Sequence, residues 1–217
     1  SAFPNATKAG VEMLKKGGNA IDAACATALA LGVCEPQASG LGGQSMGIIY
    51  ANGTSYAIDG SSRSPSLAHS SIYTNKKNRR LGYKATTVPS TLAVIGFLHE
   101  RYGRLEWQKI VAPSINIAKK GYKITQLQHD LQERELENFL SIKSKSGAKY
   151  FLKDGIVPYD VGDRFIQGDL AETLTSISDF GYRVFYQGEI AKKIVQDMKN
   201  NQGLIQDEDL AYIPEPL

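Results

Sequence analysis

Three side chains are candidate nucleophiles by type: the N-terminal Ser1 and the thiols of Cys25 and Cys34. An N-terminal hydroxyl can attack a carbonyl carbon with its own α-amino group as the base. A thiol needs a basic partner, and neither cysteine has a histidine near it in the sequence. Cys25 falls in an alanine-rich stretch, which predicts a small buried hydrophobe. We expect none of these groups to be catalytic, and we interpret Ser1 as a processing boundary.

A glycine-rich run, Gly40-Leu41-Gly42-Gly43, follows Pro36. It lacks the Gly-Lys-Ser/Thr of a phosphate loop and precedes a predicted strand, whereas phosphate loops open a helix. We therefore expect a structural role, in which backbones approach so closely that side chains would clash.

The charged clusters favour solvated surface rather than chemistry. The carboxylates at Glu106, Glu133, Glu135 and Glu137 have basic neighbours, and the basic residues between 76 and 80 lie in a polar stretch that predicts a mobile loop.

Composition excludes several classes of protein. The chain has 217 residues with 25 basic and 22 acidic side chains, a net charge of +3, which does not suit a nucleic-acid binder. No apolar run approaches the roughly 20 residues that span a bilayer. The histidines are scattered, so we expect no metal site and no cofactor. No linker divides the chain, and residues 1–217 are predicted to form one unit.

The elements that position these groups are mostly helical. Helix 6–16 is predicted to end at Gly17 and Gly18, Asn19 to cap the next helix, and Thr125 to cap another. Ser90 is a further candidate cap. The predicted helices span 6–16, 20–31, 90–102, 105–120 in two pieces split by Pro113, 125–140, 170–180 and 189–199. Strands are predicted at 46–51 and 54–59 around a type I′ turn at Asn52-Gly53, followed by a loop over 61–84.

Several stretches resemble the N-terminal region of γ-glutamyltransferases, in the same order and over nearly the whole chain. The most specific part runs from residue 10 to residue 43. The matching runs are Gly10-Val11-Glu12-Met13-Leu14, Gly17-Gly18-Asn19-Ala20-Ile21-Asp22-Ala23-Ala24, Cys34-Glu35-Pro36, Ser39-Gly40-Leu41-Gly42-Gly43, Thr87-Val88-Pro89, Asp169-Leu170-Ala171, Phe185-Tyr186-Gln187-Gly188 and Asp207-Glu208-Asp209-Leu210-Ala211.

The resemblance implies an α+β fold, the αββα sandwich of the N-terminal-nucleophile hydrolases, of which this chain is a helix-rich large-subunit portion with part of the sheet core. It implies a zymogen that cuts itself into two subunits, and a small subunit whose N-terminal Thr, outside this chain, attacks γ-glutamyl amides such as glutathione. The acyl group then passes to water, an amino acid or a peptide. It implies no metal or cofactor, and inactivity of this chain alone.

One departure from the family pattern concerns the donor. The family places an Arg, which holds the donor α-carboxylate, two residues after the Asp that ends the hairpin. Here Ser61 occupies that position and Arg63 comes two residues later, a displacement of roughly 6–7 Å along an extended chain. Arg63 is expected to contribute to substrate binding together with Ser61 and Ser62, since a guanidinium suits a carboxylate.

Two alternatives stay open. The altered donor side is compatible with an acylase or a polyglutamate-cleaving relative, and a non-catalytic binding protein could keep the same fold. Localisation is undetermined: the resemblance implies a place outside the cytoplasm, and no signal peptide is visible.

Overall fold

A computed structural model describes residues 1–51 and 53–216. Its helices are α1 (Pro4–Lys15), α2 (Ala20–Cys34), α3 (Pro36–Ser39), α4 (Thr91–Tyr102), α5 (Trp107–Lys120), α6 (Gln126–Ser141), α7 (Ser146–Phe151), α8 (Gly168–Phe180), α9 (Glu189–Asn200) and α10 (Asp207–Ala211). Its strands are β1 (Ser45–Ala51), β2 (Thr54–Gly60), β3 (Tyr122–Lys123) and β4 (Arg164–Phe165).

Helices α1 and α2 form an antiparallel pair whose connection the sequence specifies. Gly17 has a φ of 83°, and the Gly18 amide donates to the Met13 carbonyl at 3.0 Å, which together end α1 in a Schellman motif. Asn19 caps α2, accepting from the amides of Ile21 and Asp22. Both predicted signals are confirmed.

Helix α2 lies inside the molecule, as its alanine content predicts. Its buried carboxylate, Asp22, accepts hydrogen bonds from the amides of Asn19 at 2.8 Å, Arg104 at 3.0 Å and Leu105 at 3.3 Å. These bonds tie the start of α2 to the loop that follows α4. The carboxylate thereby satisfies backbone donors that would otherwise be buried without partners.

Two expectations about helices are wrong. Pro113 does not divide the segment, because α5 continues through it from Trp107 to Lys120. Ile110, Val111 and Ala118 on either side of the proline are buried in the same core, and this packing outweighs the lost backbone hydrogen bond. Ser90 does not cap α4: its hydroxyl donates to the Gly60 carbonyl instead.

One of the acceptors for the first turn of α4 comes from a distant part of the chain. The buried hydroxyl of Tyr186 accepts from the Ala93 amide at 3.0 Å, in the first turn of the helix. Burial is the main cause of the raised pKa of Tyr186, and it keeps the phenol protonated.

The β1–β2 hairpin lies against α4 and pairs in antiparallel register from Ser45 with Gly60 to Ala51 with Thr54. Its inner face contributes Ile49 and Ile58, which pack on Val94 of α4. Gly53 has a φ of 79°, while Asn52, the other predicted turn residue, lies outside the described residues.

The stretch between β2 and α4 follows the predicted loop course, with three short 3-10 turns at Ser70–Tyr73, Lys76–Arg79 and Tyr83–Ala85. The basic residues of the middle turn face solvent in part, and Arg79 donates to the Tyr73 carbonyl at 2.7 Å.

Candidate functional site

Three segments converge where the hairpin meets the helices: the glycine loop, the end of β2 and the start of α4. The Gly43 carbonyl accepts from the amides of Ser90 at 2.9 Å and Thr91 at 3.1 Å. The hydrogen bond from the Ser90 hydroxyl to the Gly60 carbonyl joins the start of α4 to the end of β2. The residues directly after β2, 61 to 63, are therefore held at this junction. We call residues 61–66 the donor loop, after the substrate part that the family resemblance leads us to expect there.

The glycine loop is only partly explained by close packing. A Cβ on Gly40 would lie 2.8 Å from the Pro36 carbonyl oxygen, so a side chain there would clash. At Gly42, by contrast, no atom would lie within 4 Å, and the residue is exposed with an ordinary φ. The expectation of a steric requirement is thus confirmed at Gly40 and wrong at Gly42.

Ser61 lies exposed at the first position after β2. Its hydroxyl and its amide both donate to Oδ1 of Asp59, at 2.6 and 2.9 Å. Both bonds lower the pKa of Asp59, and the bond from the hydroxyl contributes more than the bond from the amide. The Asp59 carboxylate is therefore ionised at neutral pH. The end of β2 thus presents a negative carboxylate together with a hydroxyl oxygen that can still accept.

Ser62 is held from the other side of the junction. Its amide donates to Oε1 of Gln44 at 2.9 Å, and Gln44 lies between the glycine loop and β1. Gln44 carries no motif of its own in the sequence. Gln44 follows the glycine run directly, and the hairpin register places it opposite the end of β2. This position is the one sequence signal that indicates a contact with the residues after β2.

Arg63 is half-buried and reaches the C-terminal segment. Its Nη2 donates to the carbonyl oxygens of Asp209 at 2.9 Å and Tyr212 at 2.6 Å. The guanidinium carbon lies 5.0 Å from the centre of the Tyr212 ring, a cation–π distance. The main chain of Arg63 is fixed as well, because its carbonyl accepts from Val88 at 2.9 Å.

Ser61 and Arg63 line one small cavity with Pro89, Ser90 and Tyr212, whereas Ser62 lies toward Gln44. The cavity measures about 30 Å³. Sites for small molecules usually measure about 300–1,000 Å³. Ser61 and Arg63 therefore belong to a wall of residues that does not by itself enclose a small molecule.

The outer face of the hairpin beside this wall is bare. Met46, Ile48 and Tyr50 alternate along β1 and are 68%, 83% and 75% exposed. A sheet face of this kind ordinarily packs against another layer.

The other candidate groups are separate from this junction. Cys25 and Cys34 are buried, and burial is the main cause that raises the pKa of each thiol to about 12. The Ser1 amine donates to Oγ1 of Thr7 at 3.1 Å. Glu135 pairs with Arg134 on the surface of α6, as expected for a solvated face.

Larger cavities occur elsewhere. One of about 700 Å³ lies between the glycine loop and the start of α8, and one of about 420 Å³ lies between α6 and the 3-10 turn at Tyr83–Ala85. Over residues 1–51 and 53–216, no group of three or more His, Cys, Asp and Glu side chains is placed to hold a metal ion. In the same part of the chain, no helix has the length and apolar character to cross a membrane.

The chain is similar to known proteins over nearly its whole length. A family model described as Gamma-glutamyltranspeptidase matches residues 6–213. The glutathione hydrolase proenzyme of Pseudomonas sp. (strain A14) is 37% identical over 212 residues, which cover 94% of this chain and 36% of that protein. Helicobacter pylori gamma-glutamyltranspeptidase superposes with a TM-score of 0.93 at 38% identity, covering 99% of this chain and 63% of the other. Cephalosporin acylase from Bacillus halodurans gives 0.87 at 32% identity, covering 98% and 41%.

The fold is α+β: the helix-rich portion of an N-terminal-nucleophile hydrolase, with helices on one face of a partial sheet. The chain belongs to the γ-glutamyltranspeptidase family, which confirms the resemblance found in the sequence. It spans about a third of the length of the curated relatives that it matches.

Proposed function

We propose that this chain, as one unit over residues 1–217, is the N-terminal part of the large subunit of an enzyme that hydrolyses or transfers γ-glutamyl amides of the glutathione type. The single observation that carries the proposal is the family match across residues 6–213. The geometry supports it at two places, the bare face of the hairpin and the donor loop.

The nucleophile is proposed to be the N-terminal Thr of a small subunit, released when a precursor cleaves itself. Its hydroxyl attacks the γ-carbonyl carbon while its own α-amine, with a pKa of about 8, takes the proton. Fixed N–H donors stabilise the oxyanion. The C–N bond then breaks as the α-ammonium returns that proton to the departing amine of the substrate, which leaves an ester of the Thr. Water, an amino acid or a peptide then accepts the acyl group. The chain by itself is inactive in this scheme, and neither a cofactor nor a nucleic acid takes part.

The small subunit is proposed to pack on the outer face of the hairpin. Met46, Ile48 and Tyr50 lie in one row, and covering each of them is worth about 1.5–3 kcal/mol. Helices already occupy the opposite face, so a second sheet on the bare face would complete two stacked sheets between helical layers.

The donor is proposed to lie against Ser61, Ser62 and Arg63. The ionised Asp59 and the Ser61 oxygen offer acceptors for an ammonium group, and Arg63 offers positive charge for a carboxylate. Because the wall of the site is shallow, the small subunit must supply the remaining contacts.

The test uses the full-length gene product and a γ-glutamyl anilide, whose hydrolysis releases a coloured amine. We expect release of the amine, faster turnover when a dipeptide acceptor is added, and loss of both when the Thr at the new N-terminus is replaced by Ala. Cleavage of only non-glutamyl amides would instead establish an acylase. Tight binding of the anilide without any release would indicate a binding protein.

A further inference from the structure

The hydrogen bonds of Arg63 limit what its guanidinium can do for a substrate. A guanidinium offers a carboxylate two faces that each make two parallel bonds, one through Nη1 and Nη2 and the other through Nη2 and Nε. Each face uses one of the two Nη2 hydrogens. In this structure Nη2 donates to the carbonyls of both Asp209 and Tyr212, so neither face is free.

A second set of bonds joins the same loop to the same helix. Oδ1 of the buried Asp209 accepts from the Ser66 amide at 2.8 Å, and Oδ2 lies 3.3 Å from the Ser66 hydroxyl. Oδ2 also accepts from the Gln206 amide at 2.9 Å, which caps α10. The donor loop is therefore bound to α10 at two points, three residues apart. We call these bonds from Arg63 and Ser66 the α10 clamp.

The clamp also directs the chain that follows α10. Beyond Tyr212, Glu215 pairs with Arg101 at 3.3 Å, and the Pro216 carbonyl accepts from the Asp59 amide at 3.0 Å. The segment thus returns to the end of β2, next to Ser61. Holding Tyr212 in place determines what lies beside the donor loop.

We propose that Arg63 is a positioning residue: it binds the end of α10 to the donor loop and meets a donor carboxylate through a single N–H. The statement that Arg63 meets a donor carboxylate rests on the proposed function. Recognition of the carboxylate is then weak, because a single N–H lacks the geometric selectivity of a bidentate pair. The donor class accordingly extends to amides that lack the α-carboxylate, such as 4-aminobutanoyl amides.

The experiment compares two anilides, γ-glutamyl and 4-aminobutanoyl, on the full-length protein. Arg63→Lys keeps the charge and removes the planar fork. We expect kcat/KM to fall about tenfold for both donors alike, mainly in kcat, because positioning is lost for each. Arg101→Ala, which removes an exposed ion pair to the same C-terminal segment, should change either donor less than twofold.

Amide hydrogen exchange gives a readout independent of activity. The peptide covering residues 206–216 should exchange about tenfold faster in Arg63→Lys than in the parent protein and Arg101→Ala. Ser66→Ala removes the hydroxyl from the other half of the clamp. It should lower kcat/KM and speed the exchange of residues 206–216, each by a smaller factor than Arg63→Lys does.

The opposite pattern would overturn the inference. It consists of unchanged exchange in 206–216, a KM raised a hundredfold for the γ-glutamyl donor, and no change for the 4-aminobutanoyl donor. If the parent protein hydrolyses neither anilide, the proposed function fails while the exchange comparison still decides the clamp. Faster exchange then supports it, and unchanged exchange contradicts it.

Discussion

The two faces of the hairpin stand in opposite environments. Ile58, on the inner face, is 2% exposed and packs on α4, whereas Ile48, on the outer face, is 83% exposed. Both positions carry the same side chain in strands of the same sheet. The helices bury a common core and supply partners for the buried carboxylate of Asp22, whereas the apolar side chains on the outer face of the hairpin have no cover among the residues that the structure describes. The difference supports the proposal that the outer face of the hairpin is one half of an interface.

The largest expected effect on stability comes from a charge on the inner face of the hairpin, and the same charge on the outer face is the comparison. Ile58→Asp buries an unpaired carboxylate against Val94, and we expect a loss of more than about 4 kcal/mol in the free energy of unfolding, seen as failure to accumulate folded protein. Ile48→Asp should leave the helical layer folded and reduce the yield of assembled two-chain protein. Equal behaviour of the two variants would remove the distinction between the faces.

The helical layer can be tested at its buried carboxylate. Asp22→Ala leaves the amides of Asn19, Arg104 and Leu105 without their acceptor, and we expect about 3 kcal/mol of destabilisation in urea unfolding of the full-length protein. Asp130→Ala, an exposed helical carboxylate, serves as control and should change stability by under about 0.5 kcal/mol. A loss below about 1 kcal/mol at Asp22 would contradict this account of the layer, because a buried polar group left without a partner costs about 1–3 kcal/mol.

The long-range cap of α4 offers a finer test. Tyr186→Phe removes the acceptor of the Ala93 amide and should cost about 1 kcal/mol by thermal unfolding. Tyr182→Phe is the matched control, because the Tyr182 hydroxyl donates to the exposed carboxylate of Glu100 at 3.3 Å and not to the backbone of a helix end. Equal losses in the two variants would show that α4 does not depend on the Tyr186 hydroxyl.

At neutral pH the smallest effect on stability concerns the thiols of the helical layer. Cys25 and Cys34 have ordinary thiol pKa values of 9.0 when unfolded and about 12 when folded, because burial disfavours the thiolate. As the pH rises from 9 toward 12, the unfolded chain loses these protons first, so stability declines across that window. At pH 8 we expect no labelling by a thiol reagent without denaturant and full labelling in urea. Rapid labelling of the native protein would contradict this.

The sequence predicts local structure well where neighbouring residues supply the signal. Gly17 ends α1, Asn19 begins α2, and Thr125 forms a capping box with Gln128, all within a few residues. It fails where distant groups decide: Pro113 is tolerated through core packing, and the Ser90 hydroxyl goes to Gly60. The cap of α4 comes from Tyr186, 93 residues away.

The candidate site follows the same rule. The family resemblance, which implies a carboxylate-binding Arg two residues after the Asp that ends the hairpin, singles out Ser61, Ser62 and Arg63, and the structure brings Ser61 and Arg63 to one cavity. The partners of Arg63 lie 146 and 149 residues away, so no local pattern reveals them. The contribution of Gln44 depends on the hairpin register, and the open space at Gly42 depends on what lies around the loop.

The most direct measurement is mass spectrometry, with N-terminal sequencing, of the full-length gene product purified in native form. The account predicts two polypeptides that stay together, the smaller of which begins with Thr, and protection of Met46, Ile48 and Tyr50 from exchange in the assembly. A single uncut polypeptide in which this face of β1 exchanges freely would contradict it.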